Sequence, residues 1–358
     1  MIDLHLHLDG SLPIAVAKEI MLSQYSELDD DLKRVAYNES ILENYLVSNL
    51  QVSEQCDSLT SYLNCFSLPL KLLQTESSIK KAVKGLLEDL KSEGMRYVEI
   101  RFAPQLHSKS FLDLDEKYFH EAAIVKAAVD ASREIRGIKC NFILCLMRGG
   151  DKYANMRTLR LAEAFKNRGV VAVDLAGDEA KYSTSKYRYE FGIAKEMGLD
   201  FIIHAGEAGN LVSRGVSVKN AISYGAKRIG HGIALCAHGE LMHMCKEYGI
   251  GVECCPTSNI QTKAVSCIED HPIYIFMNEG IKASVNTDNR TVSNTTIENE
   301  FNILRVSEEE KKLLIQNAID MAFLSEEEKK MIFPEWVKWF WNVGVETYVL
   351  FLVIFLNL

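Results

Sequence analysis

Short apolar runs recur along the chain, each closed by glycine, proline or polar residues, with longer stretches of helical spacing between them. Eight such runs predict strands: 2–7, 97–102, 141–147, 170–175, 201–204, 228–231, 249–254 and 282–286. Several are continuous, as in Val170-Val171-Ala172-Val173, the pattern of parallel strands buried on both faces. Between them, Ile79, Ala82, Leu86, Leu87 and Leu90 predict a helix over 78–92. Phe119, Ala122, Ala123, Val125 and Ala127 predict another over 115–135. Gly94, Gly169, Gly198, Gly225, Gly249 and Gly280 each fall shortly before a strand, where helix C-caps belong. Alternating strands and helices predict an α/β domain over residues 1–330, a (β/α)8 barrel of the TIM type, with a doubly wound sheet as the competing topology. From Gly10 to about Gly94 the chain holds amphipathic pieces and no strong strand, so a helical excursion is expected to cap the barrel mouth.

Composition narrows the partners. The chain has 358 residues, 47% hydrophobic and 25% charged, the balance of a globular protein. A net charge of −9, with no run of basic residues, argues against a nucleic-acid partner. Nine cysteines are scattered without a CxxC pair, which suits a reducing cytoplasm better than a disulfide framework or a thiolate zinc site. Nothing at the N-terminus resembles a secretory signal. Residues 331–358 form an atypical tail holding Trp336, Trp339, Trp341 and the apolar run 348–356. Glu335, Lys338 and Glu346 interrupt it, so packing on the body or at a subunit interface is expected ahead of a foreign tail or a membrane anchor. Nothing in the pattern sets an oligomeric state.

The polar residues at strand ends carry the chemistry. His5 and His7 alternate with Leu4, Leu6 and Leu8, placing both imidazoles on one face of the first strand. His204 ends the fifth strand, His231 ends the sixth, and Asp288 follows the eighth. C-terminal strand ends of a barrel converge on one mouth. Imidazoles with a carboxylate suit zinc, and a catalytic zinc keeps one position open for water. Similar barrels bridge two ions with a modified lysine near the fourth strand; 170–175 contains none, so one zinc ion is expected.

Six motifs occur in an order that resembles the adenosine deaminases. They are His5-Leu6-His7-Leu8-Asp9-Gly10, Arg101-Phe102-Ala103-Pro104, Asp174-Leu175-Ala176-Gly177-Asp178-Glu179, His204-Ala205-Gly206-Glu207, Gly230-His231-Gly232 and Thr287-Asp288. The resemblance runs from residue 2 to about residue 325. It implies that His5, His7, His204 and Asp288 ligate zinc, that Glu207 is the proton donor, and that His231 positions and activates the water. It implies as well that His7, Asp9, Gly177 and Asn289 meet a purine nucleoside, with Asp9 accepting from the ribose 5′-hydroxyl and the Gly177 N–H meeting purine N3.

That set would deaminate adenosine. Zinc lowers the pKa of water to about 7, and the resulting hydroxide attacks purine C6 while Glu207 protonates N1. By residue type alone, His231 could be a fourth imidazole on the metal or a base beside it. Asn289 departs from the family pattern, in which a second aspartate contacts N7; an asparagine amide donates there at any pH. The rivals are a deaminase of adenine, AMP or a modified adenine nucleoside, and an idle nucleoside-binding relative. Glu253-Cys254-Cys255-Pro256 does not match cytidine-type zinc deaminases. His107, His120, His238, His243 and His271 fall on predicted helices or loops and are expected to be bystanders.

Overall fold

The computed structural model describes residues 1–53, 56–108 and 112–336. The chain divides into two compact units, Met1–Met321 and Ala322–Leu358. In the first, β1 (Ile2–His7), β2 (Tyr97–Phe102), β3 (Lys139–Met147) and β4 (Val170–Ala176) form one parallel sheet in chain order. β5 (Ile202–Ala205), β6 (Arg228–His231), β7 (Gly251–Cys254) and β8 (Ala283–Val285) form a second. Parallel bridges join the two at both seams, Val173 to Phe201 and Leu6 to Asp288. At the second seam the Asp288 N–H donates to the His5 carbonyl at 2.8 Å and the His7 N–H donates to the Asp288 carbonyl at 2.7 Å. First and last strands thus meet, which closes a (β/α)8 barrel and excludes the doubly wound sheet.

Strand boundaries match the apolar runs to within two residues, and the late start of β7 has a local cause. The run 249–254 begins pairing only at Gly251, because Gly249 and Ile250 donate their N–H groups to Lys246 and Cys245 and close the preceding helix. Gly249 sits at φ +66°, the left-handed conformation such a closure needs. The predicted helix at 78–92 is Glu76–Ser92, capped by the Thr75 side chain, which accepts from the Ser78 N–H. The one at 115–135 is Leu114–Glu134, capped reciprocally by Asp113 and Glu116.

Five further helices fill the excursion between β1 and Glu76–Ser92: Ile14–Ser23, Asp30–Tyr37, Glu39–Leu50, Leu59–Leu63 and Ser67–Leu72. Leu4, Leu6 and Leu8 are fully buried, as are Ile79, Ala82, Val83 and Leu87 of the helix that follows the excursion. Burying each of these leucine, isoleucine and valine side chains contributes roughly 1.5–3 kcal/mol. The second unit contains the helix Glu326–Ile332, capped by Ser325. Trp339, Trp341 and the run 348–356 lie outside the described residues. Among the described residues no helix is long and apolar enough to cross a membrane.

Candidate active site

The period-2 alternation of β1 sends Asp3, His5 and His7 toward the barrel axis. Asp3 ties this strand to the end of β8: its Oδ1 accepts from the His5 N–H at 3.0 Å, and its Oδ2 accepts from the Thr287 hydroxyl at 2.6 Å. Burial nevertheless pushes its carboxyl up to about 6. His204 lies one residue before the end of β5, which runs one residue further than expected, His231 ends β6, and Asp288 follows β8; the last two are in left-handed backbone, at φ +61° and +59°. Strained φ values of this kind persist where the surroundings over-determine them, and they turn both side chains into the mouth.

Ligand atoms of His5, His7, His204 and Asp288 all lie within 4.8 Å of one another. His5 Nε2 and His7 Nε2 stand 3.3 and 3.4 Å from Asp288 Oδ1, and His7 Nε2 faces His204 Nε2 at 3.3 Å. The opposite nitrogens of His5 and His204 face carboxylates. His5 Nδ1 lies 2.8 Å from Glu253 Oε2, and His204 Nδ1 lies 2.9 Å from Asp174 Oδ2. In these two residues the arrangement puts the proton on Nδ1 and aims the Nε2 lone pair at the common point, as metal-ligating histidines require. The buried His5 Nε2 has no hydrogen-bond partner, an orphan that a divalent cation would satisfy. Burial opposes ionisation of Asp288, but the adjacent His5 imidazole, then His231 and His7, outweigh it and hold the carboxyl well below its usual range. Burial, set partly against Asp288, holds His7 well below the usual imidazole value, so it stays neutral. The donor set fits a hard or borderline divalent ion.

A cavity of about 400 Å³ opens beside this cluster, lined by His7, Asp9, Gly177, His204, Glu207, His231, Asp288 and Asn289. His5 lies behind them, fully buried. Leu59, Tyr62, Leu63 and Phe66 from the excursion form an apolar wall, in agreement with its expected capping role. Glu207 Oε2 is 3.6 Å from His231 Nε2, and its Oε1 accepts from the Thr262 hydroxyl at 3.2 Å. The turn carrying Glu207 is anchored by Glu179, whose carboxylate accepts from the N–H groups of Gly206, Glu207 and Ala208 at 2.8, 2.8 and 2.9 Å. Burial pushes the Asp9 carboxyl up to about 6, against hydrogen bonds from its own and the Gly10 N–H. Asn289 is buried with its Oδ1 unpartnered. A Cβ on Gly10 would sit 1.9 Å from that oxygen, so only glycine fits there.

A family model described as adenosine deaminase matches residues 1–339. An adenosine deaminase from Haemophilus ducreyi is 39% identical over 323 residues, covering 88% of this chain and 89% of that one. The chain belongs to the adenosine deaminase family. Two solved structures share its fold. The adenine deaminase from Arthrobacter aurescens superposes with a TM-score of 0.78 at 24% identity, covering 94% of this chain and 98% of the other. The N6-methyl-AMP deaminase from Arabidopsis thaliana does so with a TM-score of 0.76 at 24% identity, covering 94% and 96%.

In this adenosine deaminase family member the barrel interior adds residues to which sequence reasoning assigned no role. Arg101 Nη1 pairs with Asp174 at 2.6 Å and its Nη2 with Glu253 at 2.9 Å, while Arg228 Nε pairs with Glu253 at 2.5 Å and its Nη2 with Glu99. Burial opposes ionisation of Asp174 and Glu253, but for Asp174 His204 and Arg101, and for Glu253 the two arginines, hold the carboxyl well below the carboxylate range. The signal was present in the chain: Glu99 and Arg101 alternate with Val98, Ile100 and Phe102 in the period that singled out His5 and His7. Ser258 donates to Asp288 Oδ2 at 2.6 Å, and Asn259 reaches His231 Nδ1 at 3.0 Å. Neither carries a periodic signal. His271, expected to be a bystander, is buried against Asn259.

Proposed function

We propose that the protein hydrolyses adenosine, and 2′-deoxyadenosine, to the corresponding inosine and ammonia, with a single zinc ion held by His5, His7, His204 and Asp288. The observation that carries this reading is the convergence of those four ligand atoms within 4.8 Å beside Glu207 and His231. A bound zinc supplies a water nucleophile at neutral pH by lowering the pKa of water to about 7. The chain's own groups do the rest. Glu207, held by the Glu179-anchored turn and the Thr262 hydroxyl, delivers a proton to purine N1 as C6 becomes tetrahedral. Asp288, oriented by Ser258, and His231 direct the attacking oxygen toward C6. The left-handed Gly177, at φ +104°, lets its N–H approach the purine edge, and the Asn289 amide faces N7 without needing a proton of its own.

Asp9 accepts from the ribose 5′-hydroxyl. A 5′-phosphate there would meet a carboxylate, and Lys181 at the cavity rim is already paired with Asp178 at 2.8 Å. A nucleoside is therefore favoured over AMP. The free thiols of all nine cysteines fit a reducing, cytoplasmic setting. Every group named lies before residue 330, within the proposed catalytic domain of residues 1–330. Loss of adenosine absorbance in the ultraviolet, with and without a chelator, tests the proposal. Turnover that survives complete metal removal, or a preference for adenine or AMP over adenosine, would overturn it.

A further inference from the structure

Two buried side chains on the wall beyond His231, Asn259 and His271, extend from it a chain of hydrogen bonds that the mechanism above does not use. His271 Nδ1 accepts from the backbone N–H of Ile273 at 3.3 Å. A backbone amide can only donate, so this ring nitrogen carries no proton. Burial pushes His271 down to about 3, so the ring is neutral and its single proton sits on Nε2. That nitrogen lies 3.2 Å from Asn259 Oδ1. The amide orientation of Asn259 follows: its oxygen accepts from His271, so its NH₂ points the other way. There it meets His231 Nδ1 at 3.0 Å. An amide NH₂ can only donate, so His231 Nδ1 is the acceptor and the ring proton of neutral His231 lies on Nε2, the atom 3.6 Å from Glu207 Oε2. His231, Asn259 and His271 are 1%, 0% and 2% exposed, so bulk water does not compete for these bonds.

We propose that Asn259 and His271 are positioning residues that lock His231 in the tautomer with its proton on Nε2, aimed at the reaction centre. Neutral His231 then begins the reaction as a hydrogen-bond donor to the attacking oxygen, since its inward nitrogen has no lone pair free to take a proton. Its service is to orient and to stabilise negative charge on that oxygen. The kinetic arm of the test rests on the deaminase reading; the spectroscopic arm does not.

The experiment is ¹⁵N spectroscopy of the zinc-loaded protein labelled at histidine, with the His231 signals assigned by difference against His231→Gln. The expected spectrum has a protonated Nε2 and an unprotonated Nδ1 at His231; a protonated Nδ1 overturns the proposal, whatever the substrate proves to be. Asn259→Asp replaces the donor with an acceptor of the same shape. It is expected to move the proton to Nδ1 and lower kcat for adenosine at least ~10²-fold, with zinc content unchanged and KM within about twofold. An unaltered tautomer and kcat, or a fall in kcat matched by loss of zinc, overturns it. Should that variant not fold, His271→Phe frees the Asn259 amide to rotate. Mixed tautomers with reduced kcat are expected, and a spectrum still wholly protonated at Nε2 overturns the proposal.

Discussion

The interior of the barrel holds two polar layers built on opposite terms. In the floor, Glu99, Arg101, Asp174, Arg228 and Glu253 are buried charges that face one another, and of the two guanidiniums only Arg101 Nε lacks a partner. In the mouth, His5 Nε2 and Asn289 Oδ1 are buried with none, and three imidazoles crowd one carboxylate. Buried polar atoms are costly unless satisfied. The floor meets that demand from within the protein, whereas the mouth leaves two polar atoms unmet, which suits the ion and substrate proposed for it.

Substitutions can break that contrast, and their expected effects descend in order. Asp288→Ala removes the anion of the mouth cluster, so metal and turnover are lost together while thermal stability of the metal-free protein is retained. Full zinc occupancy by elemental measurement in this variant would refute the ligand assignment. Arg228→Met removes the guanidinium that pairs with buried Glu99 and leaves Glu253 with Arg101 as its cation, and is expected to cost about 3–5 kcal/mol of stability in denaturant titration. A variant as stable as the parent would show that the floor is not structural. Glu207→Gln keeps the shape and loses the proton, so kcat falls at least ~10²-fold with zinc content and stability unchanged. Near-normal turnover would point to another proton donor.

The smallest effect concerns Glu300, a buried carboxyl that accepts from the Thr257 N–H at 2.9 Å and the Thr295 hydroxyl at 2.5 Å. Burial raises it from 4.5 to about 7. With a folded value above the unfolded one, its stabilising contribution is fully present below about pH 4.5 and is lost as pH rises toward about 7. Glu300→Gln, a permanently neutral mimic, is therefore expected to match the parent near pH 5 and to exceed it at pH 8 by on the order of 1–2 kcal/mol. Parallel stability curves across that window would contradict the assignment. Glu253, held low by its arginines, has the opposite sign: its contribution is lost as pH falls.

How far each layer was legible follows from how it is encoded. His5, His7, His204, His231 and Asp288 stand out because a polar residue ending an apolar run is conspicuous in one dimension. Glu99 and Arg101 carry the same alternation, yet a charge inside a strand names no partner, and theirs come from β4, β6 and β7 across the barrel. Asn259 sits in the six-residue helix Pro256–Gln261, too short to show a period, and His271 in irregular chain beyond it, where no period separates a buried polar side chain from an exposed one.

The amino-acid sequence alone determined which segments become strands and helices, because alternation and helical spacing are local properties of hydrophobic burial. It also determined the ordered motifs that mark the family. Only the tertiary structure decided which charge meets which, where the barrel closes, and which nitrogen of His231 carries the proton. Those outcomes depend on distances between residues far apart in the chain, and a hydrogen bond or ion pair exists only at contact distance and in the right orientation.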